Sequence, residues 1–300
     1  MSEQIAHANG IELAYETYGD PAGPTLLLIM GLAVQMVGWD PEFCGMLAER
    51  GFHVVRFDNR DIGHSTKIRG GPKPNVIPAA LGAKPRASYL LSDMAADSAG
   101  LLDHLGVGAA HVAGASMGGM IAQALAIEHP ERVLSLCSIM STTGERRYNR
   151  PRLRIYAALL RRPPEDRESY VRQWLALWRA IGSPGFRFDE QRVRRLAEQS
   201  FDRCHYPAGV ARQLLAVMAS ADRTAALASV RVPTVVIHGR DDPLVRLPAG
   251  EATARAIPGA ELIVIDGMGH DLPREVWPRV VDAIERNARR AGAAAARSAA

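Results

Sequence analysis

Four short apolar runs constrain the fold of this chain more than any other feature. They are TLLLIM at 25–30, HVVRF at 53–57, HVAGA at 111–115 and TVVIH at 234–238. Each is too short for a stable helix and lacks the in-out alternation of a half-exposed strand. Such runs are expected of strands buried on both faces of a parallel sheet. Segments with helical spacing lie between them: 43–50 before Gly51, 90–105 before Gly106, and 120–128 before Pro130. Glycine and proline are ordinary helix stops. Two further strand-like runs, 133–139 and 261–265, and a closing helix over 275–289 continue the rhythm. Only 11–18, IELAYETY, alternates as a half-exposed strand does. Strands alternating with helices predict an α/β fold, a mostly parallel doubly wound sheet with right-handed crossovers.

Two stretches interrupt that rhythm. Residues 66–87 are rich in Gly and Pro, and a loop that long is either functional or mobile. Residues 141–228 contain several helical patterns and no convincing strand. For 300 residues the division expected is therefore one α/β core over 1–140 and 229–290, a helical insertion over 141–228, and a frayed, flexible low-complexity tail at 291–300.

The charge is uneven. Residues 141–228 hold 17 Arg against 9 Asp and Glu, a balance of +8 in a chain whose total is +4. A nucleic-acid binder needs such a stretch to form a continuous face with stacking aromatics, and nothing in the sequence imposes one. Three widely spaced cysteines, Cys44, Cys137 and Cys204, form no metal or redox motif and read as free thiols in a reducing compartment. With neither a leader pattern at the N-terminus nor an apolar run long enough to span a bilayer, the expected location is cytoplasmic, with no membrane span. No metal or other cofactor is expected.

The sharpest local signal is Gly114-Ala115-Ser116-Met117-Gly118-Gly119, set between the strand HVAGA and a predicted helix. In a Gly-x-Ser-x-Gly turn of this kind the serine takes strained backbone angles, and only small neighbours escape a clash. The strain holds Oγ clear of the sheet at a helix N-terminus, where the Met117 amide is placed to stabilise an oxyanion. Candidate partners follow in the order acid, then histidine. Asp241 and Asp242 lie just past TVVIH, and His270 lies just past ELIVI, at the sheet edge where α/β proteins build sites. His270 would take the Ser116 proton and return it, while an acid would orient the imidazole. His111 and His238 fall inside strands and read as structural, His129 lies at a helix end, and His64 is near enough to stand in a supporting role.

These motifs resemble the α/β-hydrolase superfamily over about residues 11–277, the insertion excluded. The resemblance implies that Asp242, three residues after Gly239, is the acid rather than Asp241. It implies that Gly31 belongs to the oxyanion loop, with Leu32 as the second amide donor and Met30 where histidine is common. Residues 58–65, DNRDIGHS, are similar to the family's D-x-R-G-x-G-x-S turn, with Asp61 in place of a glycine. Serine at the elbow argues against the dehalogenases and epoxide hydrolases, which use Asp there. The layout is closest to small esterases, such as polyketide methyl esterases, and to cofactor-free perhydrolases.

The insertion is then expected to form a helical cap. Tyr170, Trp174 and Trp178 recur every fourth residue and share one helical face. They either wall a pocket, together with Met30, or pack the cap onto the core. Arg146, Arg147, Arg161 and Arg162 either attract an anionic substrate or form a solvated surface. The expected activity is hydrolysis of a small-molecule carboxylic ester through an acyl-serine. Perhydrolysis, thioester or C–C cleavage by the same residues stands as the alternative, with a non-catalytic binding protein of the same fold behind it. A homodimer is the assembly left open.

Overall fold

The computed structural model describes residues 2–80, 83–148 and 164–298. Arg161 and Arg162 lie outside the described residues.

Eight strands form one sheet in the order β1-β2-β4-β3-β5-β6-β7-β8. They are β1 Gln4–Ala8, β2 Ile11–Tyr18, β3 Thr25–Ile29, β4 His53–Phe57, β5 Ala110–Ala115, β6 Val133–Ile139, β7 Thr234–Gly239 and β8 Glu261–Ile265. From β3 and β4 through β8 every pairing is parallel, and β1 and β2 add an antiparallel edge. This is the mostly parallel doubly wound sheet expected from the apolar runs. The strand β1 was not foreseen: QIAHA is short, and two of its five side chains, Ala6 and Ala8, turn inward.

The helices are α1 Pro41–Glu49, α2 Ile77–Ala80, α3 Leu91–His104, α4 Met117–Glu128, α5 Arg167–Ile181, α6 Glu190–Arg203, α7 Pro207–Ala219, α8 Leu247–Ala256 and α9 Trp277–Ser298. Aspartates 40, 166 and 189 cap α1, α5 and α6, each accepting a first-turn amide at 2.8–3.0 Å. The last helix runs past Arg289 to Ser298, through residues read from sequence as a frayed tail. Alanine, the best helix former, dominates that stretch.

Successive strand residues feed opposite layers, so neither face can be polar. Leu27, Ile29, Val55, Phe57 and Val112 pack with α3 and α4. Leu26, Leu28, Val54, Ala113 and Ile237 pack with Phe43 and Leu47 of α1 and with Trp277, Val280 and Ile284 of α9. The order reverses at β3, whose neighbours are β4 and β5. The crevice beyond the carboxyl ends of β3 and β5 is thus the place where this kind of sheet binds ligands. Between β6 and β7 the described chain is helical, with α5, α6 and α7 in succession. Among the described residues no helix is long and apolar enough to cross a membrane.

Buried histidines inside strands, His111 and His238 among them, make stability depend on pH. His111 shares a hydrogen bond with Ser135 Oγ at 2.9 Å, and burial lowers its pKa. The Nε2 of His238 lies 2.7 Å from the Val245 carbonyl; burial lowers this imidazole too, against the smaller opposing pull of Asp242. In the unfolded chain both should take up a proton near the ordinary value of 6.5. Below that pH the unfolded state binds more protons, so stability falls as pH falls. Urea midpoints should therefore drop between pH 7 and pH 5, less steeply in a His111→Gln variant; a flat profile contradicts this. Independently, Leu28→Ala should cost about 2–5 kcal/mol in urea unfolding, because Leu28 is fully buried in a central strand.

Candidate active site

The elbow between β5 and α4 is built by close contact. A Cβ added at Gly118 would stand 2.0 Å from the Ile29 carbonyl oxygen, and one at Gly114 would stand 2.1 Å from the Gly118 carbonyl oxygen. Any larger residue would push the start of α4 away from the end of β3. The turn puts Ser116 at φ 56°, ψ −119°, a region side-chain-bearing residues rarely adopt, at a cost of about 1–3 kcal/mol. The backbone is held there by Ser116 N–H donating to the Ile139 carbonyl at 2.9 Å and by Ser141 Oγ donating to the Ser116 carbonyl at 2.8 Å. Serine is a favoured N-cap residue, yet Ser116, at the N-cap of α4, makes no side-chain cap bond.

The Oγ instead lies 2.9 Å from His270 Nε2, and His270 Nδ1 lies 2.6 Å from Asp242 Oδ2. The other Asp242 oxygen, Oδ1, accepts the amides of Leu244 and Val245, both at 2.8 Å, in a buried setting. The adjacent aspartate points elsewhere. Exposed Asp241 accepts the Gly267 amide at 3.0 Å and so ties the β7 loop to the β8 loop. Close backbone contact sets the same spacing, since a Cβ at Gly239 would stand 2.2 Å from the Met268 carbonyl oxygen. The structure thus brings Ser116, Asp242 and His270 together from three loops at one sheet edge.

Two backbone amides belong to segments next to Ser116. Met117 is the first residue of α4, so its N–H has no acceptor within the helix. Leu32 follows Gly31, where an added Cβ would meet Ser116 Cβ at 3.1 Å. The loop carrying Leu32 is held by Asn59 Nδ2 donating to the Met30 carbonyl at 2.9 Å and by Met36 N–H donating to Asp58 Oδ1 at 2.7 Å. The Met30 side chain is buried in the core and folds against Gly38.

The insertion reaches the site from two directions. At the end of α5, the Ile181 carbonyl accepts the His270 amide at 2.7 Å, and Ser183 Oγ accepts the Gly269 amide at 2.9 Å. Ser183 Oγ also donates to Asp271, whose carboxyl burial pushes up. From α7, Arg212 forms a two-point ion pair with Asp61 at 2.8 and 2.9 Å. Asp61, at φ 70°, stands where the resembling turn has glycine. Tyr170, Trp174 and Trp178 line up along α5 with ring centroids 5.6 and 5.9 Å apart. Trp174 packs among Val171, Leu175 and Ala197, with Val34 of the loop after β3 against the cluster.

Other candidates lie elsewhere. His64 is at the surface, hydrogen-bonded to Glu3 and to the Arg203 carbonyl. Arg147 is exposed and paired with Glu145, and Arg146 is exposed. Cys44 and Cys137 are buried and Cys204 half-buried, all free; burial pushes the Cys44 thiol up to about 12. Among the described residues no group of His, Cys, Asp or Glu is arranged to hold a metal ion. Sequence reasoning missed Gln213, Ser183 and Arg212. The departure at Asp61 was the one signal that a partner for it existed.

The model of the alpha/beta hydrolase fold family matches residues 24–273. The rhodomycin D methylesterases of Streptomyces sp. (strain C5) and Streptomyces peucetius are 30% and 29% identical to this chain, each covering 95% of it and 97% of the relative. Among solved structures, 2-hydroxy-6-oxo-6-phenylhexa-2,4-dienoate hydrolase from Rhodococcus sp. strain RHA1 has a TM-score of 0.76. That likeness covers 96% of this chain and 98% of the other at 21% identity, and so speaks to the fold alone. With the family's pattern running from β3 through β8 and through all three loops of the site, this chain belongs to the α/β-hydrolase-fold family.

Proposed function

We propose that this protein is a serine hydrolase that cleaves carboxylic esters through an acyl-serine intermediate. The observation that carries the reading is the unbroken line from Ser116 Oγ to His270 at 2.9 Å and from His270 to Asp242 at 2.6 Å. A serine kept in a strained turn, free of its helix-capping bond, supports the same reading.

The steps follow from the geometry. Ser116 Oγ attacks the ester carbonyl carbon while its proton passes to His270 Nε2. Charge gathers on the carbonyl oxygen, where the Leu32 and Met117 amides donate to it. The C–O bond to the leaving group breaks, and His270 returns the proton to the departing alkoxide. Water then attacks the acyl-serine, again deprotonated by His270, and the acid leaves with Ser116 restored. Throughout, Asp242 accepts the Nδ1–H of His270 and stabilises the imidazolium; its own anchoring by two amides keeps it fixed. The relatives named as methylesterases favour a methyl ester, with methanol leaving.

A p-nitrophenyl ester series from acetate to decanoate tests the proposal, with methyl esters alongside. Wild type should turn over at least one member. Ser116→Ala should lower kcat by about 10⁶-fold, to background. If wild type stays folded and leaves both ester classes intact, the esterase reading fails. Asp242→Asn keeps the shape but favours the wrong imidazole tautomer, and should lower kcat by about 10⁴-fold. Asp241→Asn should leave kcat within about threefold, since Asp241 touches only the Gly267 amide. Equal losses at the two aspartates would contradict the assignment.

A further inference from the structure

The loop after β3 turns at 31–34, where Val34 N–H donates to the Gly31 carbonyl at 3.3 Å, and it holds a backbone angle that its residue type does not favour. Ala33 has φ 65°, in the region that favours glycine. It directly follows Leu32, the amide assigned above to the oxyanion. A conformation of this kind persists only where the surroundings hold it. The holder comes from the insertion. Ala33 N–H donates to Gln213 Oε1 at 3.2 Å, and Gln213 Nε2 donates to the Arg60 carbonyl at 2.9 Å. Gln213 is fully buried on α7, so both ends of its amide are committed without competition from water.

The neighbouring contacts make the glutamine a fixed strut. Arg212, the preceding residue, grips Asp61 at two points, and Arg60 is held by Asp97 through two bonds of 2.6 Å. The Arg60 end of the bridge and the helix residue beside Gln213 are therefore themselves pinned. Asn59 and Asp58 hold the two ends of the loop, at Met30 and Met36, from within the core. Only Gln213 holds Ala33 itself among the described residues. Gln213 fixes the peptide joining Leu32 to Ala33, the central peptide of a turn closed by Val34 N–H donating to the Gly31 carbonyl at 3.3 Å; the Leu32 N–H belongs to the preceding peptide of that turn, so holding the one restricts the other.

We infer that Gln213 is a positioning residue of the insertion, which aims the Leu32 amide at the developing oxyanion by holding Ala33 at positive φ. This rests on the proposed hydrolase reading for the role of the Leu32 amide. The bridge to Ala33 can be tested without turnover.

The test uses Gln213→Met, which matches the side chain in length and offers neither donor nor acceptor. With a p-nitrophenyl ester, kcat should fall about tenfold or more, with KM within about twofold, as expected for a contact felt mainly in the transition state. Adding Ala33→Gly should recover most of the lost kcat, since glycine takes the required φ unaided. Amide exchange of the peptide covering 30–36 should quicken in Gln213→Met. Gln213→Asn withdraws the same acceptor and serves, with the same expectations, if the methionine variant does not fold. An unchanged kcat, a loss that Ala33→Gly does not repair, or unchanged exchange in 30–36 each overturns the inference. Failure of the hydrolase reading is separate, and shows as absence of ester turnover in the wild type.

Discussion

The N-terminus of α4 is pressed against the end of β3, and the geometry of the site descends from that steric contact. Only glycine at 118 permits the approach, with the Ile29 carbonyl where a Cβ would sit. Because the helix starts so close to the sheet, the turn before it must be tight, and Ser116 takes positive φ. That angle takes the serine Oγ away from capping its helix and leaves it facing His270. Gly31, next to Leu32, and Met117 both adjoin the serine. Ser116 and the proposed oxyanion donors thus meet at one packing contact, made at the point where strand order reverses.

Asp242 and His270 are placed by a second kind of constraint, mutual pinning of loops. The β7 loop presents Asp242 only because its own amides satisfy one carboxylate oxygen. The β8 loop presents His270 with its backbone held by Ile181 of the insertion. Insertion residues also hold the loop after β3, through Gln213 at Ala33 and through Gln35, whose side chain donates to the Ser200 and Cys204 carbonyls at 2.7 and 3.0 Å. In energetic terms the insertion is not an independent cover. Its helices end on the two loops whose geometry the chemistry requires.

The sheet was legible because buried parallel strands leave continuous apolar runs, and TLLLI, HVVRF and TVVIH have few other ways to be satisfied. The elbow was legible because its glycines are dictated by contact. What stayed hidden was long-range polar pairing. Nothing local in RQLLA marks Gln213 as reaching Ala33, 180 positions away in sequence. Asp61 was visible as a departure from the turn it resembles, but its partner Arg212 could not be picked out among 17 arginines of the insertion. Spacing alone left Asp241 and Asp242 open, and resemblance was needed to choose; in the structure one faces His270 and the other ties two loops together. The edge strand β1 and the full length of α9 escaped because short strands and alanine-rich ends carry weak periodicity.

If Ser116 is the nucleophile, it must carry the acyl group between the two halves of the reaction. Mass spectrometry of protein quenched during turnover of a slow p-nitrophenyl ester, followed by peptide mapping, reads this out. An added acyl mass is expected on the peptide containing Ser116, absent from Ser116→Ala and strongly reduced in His270→Ala. Acylation mapped to another residue, or turnover with no acyl-protein in wild type or in any variant slowed at deacylation, would contradict the assignment of Ser116.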